Sequence, residues 1–255
     1  QDLLAEGLKQ TLRWMDAHLR GNRNALRKNP VRIYITGRNT WHECMAYPPA
    51  KPVDHTLFLA RPDRLQASPG PDGTDTYRYD PADPTPNVGG AIFAFSGAGP
   101  RSNNALEARP DVRTYTGDVL EEELTIIGNP KVALFVRSSL VHTDFFVRLC
   151  DVSPKGVSTN VCDGILRLTP DNQPGLTEEV TAITITMHAC AHSFGPGHRI
   201  RLQVSSGAHP RYARNLGTND PIGSATAMRA ADQQIFHGVS TPACLQLPRV
   251  EHELE

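Results

Sequence analysis

The sequence has no excess of charge of either sign: 26 Lys and Arg stand against 27 Asp and Glu in 255 residues. No run of like charge forms a tail, so nucleic acid and other polyanions are not expected partners. Aromatic residues make up only 6% of the chain, which counts against the aromatic platform of a carbohydrate-binding module. The five cysteines, Cys44, Cys150, Cys162, Cys190 and Cys244, are odd in number, widely spaced and without a C-x-x-C pair. They are expected to be free thiols in a reducing, cytoplasmic compartment rather than a disulfide framework. The opening decapeptide QDLLAEGLKQ is neither a signal peptide nor a membrane span, so no membrane partner is expected. Gln1 is expected of a chain cut from something longer.

Catalytic signatures are missing too. An α/β-type serine hydrolase carries its nucleophile on a strained elbow, G-x-S-x-G, and no such pentapeptide occurs. The nearest stretches, Phe95-Ser96-Gly97 and Gly156-Val157-Ser158, lack the flanking glycines and read as turn serines. Neither Gly89-Gly90 nor Gly195-Pro196-Gly197 has the spacing or the following helix of a phosphate-binding loop. No cofactor is expected.

What is present changes character once, near residue 30. Leu4, Leu8, Leu12, Met15 and Leu19 recur at spacings of three and four, which predicts one amphipathic helix over Leu3 to Leu19, ended by Gly21. After Asn29-Pro30 come short alternating or apolar runs such as VALFVRSS, DFFVRLCDV and EVTAITITMHA, punctuated by PPAKPVD, DPADPTPNVGG and SGAGPRSNN. Many short strands between Pro/Gly/Asp clusters predict a mainly β sandwich or jelly roll. Residues 68–110 read as one long strand-poor loop, and loops of that length are usually functional or pack on a neighbour. The turn Phe194-Gly195-Pro196-Gly197 delivers His198 to Ser205, whose Ile200, Leu202 and Val204 alternate with Arg199, Arg201 and Gln203 as in a half-buried antiparallel strand. Arg211, Tyr212 and Arg214 follow in a loop. They are read as structural, with the guanidinium groups bonding carbonyls or carboxylates such as Asp144 or Asp163 and Tyr212 packed over the sheet; an anion or sugar clamp is the alternative.

Two constellations invite chemistry. His188, Cys190 and His192 would share one face of a strand, and all three can ligate zinc. Three ligands in a row on a flat strand close a tetrahedron poorly, so no metal is expected, and Cys190 is expected to pack inward between partly exposed histidines. His142 and Asp144 would also share a face, but no nucleophile stands nearby, and they are read as surface polar residues.

The order of these pieces resembles a known family. Trp14 and His18-Leu19-Arg20-Gly21, then Pro30-Val31-Arg32-Ile33-Tyr34-Ile35-Thr36-Gly37, Trp41 and Tyr47-Pro48-Pro49 look like the junction where CocE/NonD serine hydrolases pass from their α/β-hydrolase domain into the C-terminal domain shared with X-Pro dipeptidyl-peptidases. Tyr79-Asp80-Pro81-Ala82-Asp83-Pro84, Val88-Gly89-Gly90, Arg109-Pro110-Asp111-Val112, Asp163-Gly164-Ile165-Leu166-Arg167, Pro196-Gly197-His198-Arg199-Ile200-Arg201-Leu202 and Pro210-Arg211-Tyr212 continue it in register. Ala208-His209, where an aromatic more often precedes the proline, and Met187-His188, in a strand usually more apolar, depart from the pattern.

The resemblance implies a jelly-roll, galactose-binding-like β-sandwich over residues 30–255, preceded by the terminal helix and linker of an α/β-hydrolase domain over residues 1–29. It implies that the Ser-Asp-His triad lies outside this chain, in a catalytic domain or subunit that is its partner. The whole enzyme would hydrolyse a small-molecule ester, amide or X-Pro peptide. The loop carrying Ile92, Phe93 and Phe95 would face the active-site mouth, with Gly89 and Gly90 allowing close backbone approach, unless the aromatics merely plug the sandwich. A stand-alone binding module, for example for carbohydrate, is the alternative, and a sandwich without its partner could self-associate as a homo-oligomer. Treated alone with a fluorophosphonate probe, the chain is expected to keep its unmodified intact mass; stoichiometric labelling of any serine would overturn the reading of its serines as turn residues.

Overall fold

The computed structural model describes residues 3–49, 51–93, 96–221 and 223–250. The leucine spacing winds helix α1 (Leu3–Leu19), which stops where Gly21 takes a φ of 75°, a left-handed conformation that glycine adopts without a Cβ clash. A single 3-10 turn, Arg23–Ala25, leads to the hairpin β1 (Val31–Ile35) and β2 (Thr40–Cys44). The sandwich strands follow: β3 (Val53–Ala60), β4 (Arg64–Gln66), β5 (Gly73–Tyr79), β6 (Arg113–Thr116), β7 (Leu124–Gly128), β8 (Lys131–Ser138), β9 (Thr143–Val152), β10 (Ser158–Leu168), β11 (Thr181–Thr186), β12 (Cys190–Phe194), β13 (Arg199–Ser205), β14 (Ala231–His237) and β15 (Cys244–Arg249). A short helix α2 (Asn104–Glu107) interrupts the long connection between β5 and β6.

Pairing runs β10-β9-β13-β6 on one side and β5-β14-β8-β15-β3 on the other, with β4 bridging β3 to β6. β11 pairs with β8, and β12 with β7. All named strand pairs are antiparallel except the single parallel bridge between Arg64 and Thr116. Alternation fills the space between the layers: Val132, Leu134 and Val136 of β8 meet Phe145, Val147 and Leu149 of β9, Leu202 and Val204 of β13, and Ile235 of β14 in one apolar core.

Two strand readings are corrected by this topology. β13 is not half-buried, because β9 and β6 flank it and α2 covers its outer face: Glu107 accepts from Gln203 at 2.7 Å and pairs with Arg201 at 2.6 Å. Residues 68–110 are not uniformly strand-poor, since β5 lies within them. Its sequence GTDTYRY hides the period in polar letters, with Asp75, Tyr77 and Tyr79 buried and Thr76 and Arg78 exposed. Asp75 can stay buried because it accepts from the Tyr115 hydroxyl and pairs with His237 Nε2, each at 3.0 Å. Burial, with Asp75 alongside, holds the Tyr115 phenol well above its ordinary range, so it donates at every physiological pH.

Strand β9 is buried on both faces. Phe145, Val147 and Leu149 enter the core, while Asp144, Phe146, Arg148 and Cys150 face the other way and are also covered. Their cover is the long connection and the loop after β13. Arg148 holds that cover: with no exposure at all, its guanidinium donates to Val88 O (2.8 Å), Asn103 Oδ1 (2.9 Å), Asn87 Oδ1 (3.0 Å) and Asp163 Oδ2 (3.3 Å). Arg148→Ala would leave the buried Asp163 with Arg211 alone and deprive three loop acceptors of their donor, and is expected to cost about 3–5 kcal/mol. Thermal melting should fall by about 6–20 °C; an unchanged melting temperature would remove Arg148 from this role.

Candidate functional site

The cover over β9 narrows to a neck at Gly89 and Gly90. On the entering limb, Arg148 grips Asn87 and Val88, and Asn87 N donates to His209 O at 2.7 Å. On the returning limb, Asn160 Oδ1 accepts from Arg101 N at 2.8 Å while its amide donates to Gly99 O at 3.2 Å. The limbs are joined by reciprocal backbone bonds between Gly90 and Gly99, both 2.9 Å. Gly89 and Gly90 have φ of 68° and 88°. A Cβ on Gly89 would stand 2.5 Å from Asn160 Oδ1, and one on Gly90 2.9 Å from Arg211 Nη1, so both glycines are required by contact as well as by conformation.

Beyond the neck the chain forms a tip. Ile92 is half-buried, and Phe93 is fully exposed at 109% of its reference area. Phe93 therefore does not plug the sandwich. Phe95 lies outside the described residues.

Arg211 forms part of the floor beneath the neck. Its Nη1 donates to Asp163 Oδ2 at 2.6 Å, so that one carboxylate oxygen receives both Arg211 and Arg148. Tyr212 packs beside Arg211, 5.0 Å from guanidinium carbon to ring centre, and lies 6.1 Å from Phe146 centroid to centroid. Arg214 donates to Pro81 O at 2.8 Å. Asp144 is held by others: Arg167 grips it through two bonds of 2.8 and 2.6 Å, and Asn215 donates to it at 2.8 Å.

The histidine constellations separate. β12 begins only at Cys190; His188 is exposed and meets the Tyr212 hydroxyl at 3.2 Å. His192 is buried rather than partly exposed, lying between Thr36 Oγ1 (2.8 Å) and Asp151 Oδ2 (3.2 Å), with His198 on the other carboxylate oxygen at 2.7 Å. That cluster ties the β1–β2 hairpin to the sandwich, because Thr36 also exchanges backbone bonds with Ala191 and Ser193. His142 precedes β9, and Asp144 is engaged elsewhere, so the two form no dyad. All five cysteines are free, and burial pushes the Cys150 thiol up to about 12, which leaves it inert as a nucleophile.

Residues 24–240 match the family model of the X-Pro dipeptidyl-peptidase C-terminal non-catalytic domain. The chain belongs to that family. Among curated relatives, the cocaine esterase of Rhodococcus sp. (strain MB1 Bresler) is 34% identical over 257 residues, covering 93% of this chain and 45% of its own length. An aminopeptidase structure from the marine sediment archaeon Thaumarchaeota archaeon superposes with a TM-score of 0.82 at 25% identity, over 94% of this chain and 43% of that one. An α-amino acid ester hydrolase does so with a TM-score of 0.78 at 28% identity, over 93% and 44%. This chain thus spans less than half the length of these relatives. A CocE/NonD family hydrolase from Staphylococcus aureus, at 13% identity and a TM-score of 0.62, shares the fold.

Arg148, Asn87, Asn103 and Asn160, the residues that fix the neck, were not among the sequence candidates. The one signal for them was a single arginine inside the apolar run FFVRLC. Arg211→Ala leaves Asp163 one cation instead of two and is expected to cost about 1.5–3 kcal/mol, the range for a charged hydrogen bond. The melting temperature should drop accordingly; no change in it would show that the Arg211 pair carries no stability.

Proposed function

We propose that this chain is the non-catalytic C-terminal part of a serine hydrolase of the CocE/NonD type, and that its neck-and-tip loop forms one wall of the acyl-binding cleft of the complete enzyme. The observation that carries this reading is Phe93: a fully exposed aromatic on a loop whose two limbs are clamped to a rigid sheet. Large apolar side chains held out in water by a fixed support mark an interaction surface.

The uncovered face of α1 supports the same reading. Leu4, Leu8, Leu12, Met15 and Leu19, the stripe that predicts an amphipathic helix, are 44–83% exposed. We assign residues 1–29 to the edge of an α/β-hydrolase portion that buries this stripe, and the following residues to a jelly-roll, galactose-binding-like sandwich beside it. The names of the relatives, an esterase, an ester hydrolase and an aminopeptidase, point to an ester or amide substrate. Hydrolysis would run through a serine acyl-enzyme formed in that other portion. Free thiols suit a reducing, cytoplasmic setting, and among the described residues no helix is long and apolar enough to cross a membrane.

In the full-length enzyme, Phe93→Ala is expected to change the ratio of kcat/KM between a bulky and a small acyl ester by about 1–3 kcal/mol, the range for one apolar contact. The melting temperature of the isolated chain should stay put, since Phe93 buries nothing there. An unchanged ratio would overturn the assignment of the tip to the cleft.

A further inference from the structure

The missing Cβ of Gly90 faces side chains, not backbone. The position of its missing Cβ is filled by the Arg211 guanidinium, with Nη1 at 2.9 Å and Asp163 Oδ2 at 3.3 Å. Arg211 cannot retreat freely, because its side chain is only 10% exposed, Asp163 holds it at 2.6 Å and the Tyr212 ring lies against it. Tyr212 is in turn fixed by His188 at its hydroxyl and by Phe146 of β9 at its ring. A continuous contact path therefore runs from the β9 face through Tyr212 and Arg211 to Gly90, and Ile92 N returns a bond to Gly90 O at 3.0 Å. Arg148 clamps the limb as a whole, whereas Arg211 touches the residue from which the tip departs.

We infer that Arg211 is a positioning residue for acyl selectivity, setting through Gly90 where the tip presents Ile92 and Phe93. The inference rests on the assignment of the tip to the cleft. Lysine cannot replace the function fully, since an ammonium is a point charge and lacks the planar guanidinium face whose Nη1 and Cζ lie 2.9 and 3.8 Å from the Cβ position of Gly90.

The test is a double-mutant cycle in the full-length enzyme, with the kcat/KM ratio for a benzoyl and an acetyl ester of one alcohol as the readout, at a temperature where melting curves show every variant folded. Arg211→Ala is expected to shift the ratio about tenfold, in the same direction as Phe93→Ala. Arg211→Ala combined with Phe93→Ala should do no more than Phe93→Ala alone, because the two act through one contact. Gly90→Ala, which keeps Arg211 but forces a Cβ against it, should shift the ratio likewise and serves if Arg211→Ala does not fold; Arg211→Lys should give an intermediate ratio. A shifted Phe93→Ala ratio with wild-type ratios for Arg211→Ala and Gly90→Ala overturns the inference and leaves the cleft assignment standing, as does a double variant whose effects simply multiply. A wild-type ratio for Phe93→Ala removes both.

Discussion

A guanidinium that no water reaches holds the outer half of this domain together. Arg148 projects from the side of β9 that faces away from the core, where an exposed arginine would be unremarkable. Here it is covered, and burying the charge is tolerable because Asp163 pairs with it and three loop acceptors take its other Nη hydrogens. Hydrogen bonds to a buried charge are directional and strong, so the long connection acquires a fixed path over the sheet with no helix or strand of its own beyond α2 among the described residues. Its Nε has no partner among the described residues, so its hydrogen bonds come from the two Nη groups at the forked end of the side chain.

The same carboxylate links the two covering segments. Asp163 receives Arg148 from the sheet and Arg211 from the loop after β13, while Thr85 and Asn87 exchange backbone bonds with His209. The connection before β6 and the loop after β13 are thus parts of one lid-like layer over β9, although 122 positions separate Asn87 from His209. That layer completes the burial of β9 on its second face.

What could be read from the sequence followed from local periodicity. Leucines at helical spacing give α1, the alternation in RIRLQVS gives β13, and Pro/Gly/Asp clusters mark the turns. The family followed from the order of many short stretches, none diagnostic alone. Three things escaped. β5 was masked by buried Asp75, Tyr77 and Tyr79: Asp75 finds Tyr115 and His237, and Tyr77 finds Ser206, only in three dimensions. The second buried face of β9 was invisible because alternation records one covered face and cannot record a loop folded over the other. The neck itself depends on Arg148, Asp163, Asn160 and Arg211, whose bonding partners there lie 15 to 61 positions away and carry no shared spacing.

The reciprocal bonds between Gly90 and Gly99 make the tip separable from its support. Among the described residues, the side chains that clamp the limbs, Arg148 and Asn160, lie on the sandwich side of that pair, and Phe93 stands fully exposed beyond it. Length and composition between the two glycines are therefore free to vary at little thermodynamic cost, because closing a somewhat longer loop on a fixed neck adds only a slowly rising entropic term. In evolutionary terms the domain carries an exchangeable cartridge: a new side-chain repertoire can be tried at the tip while the scaffold that must fold stays unaltered.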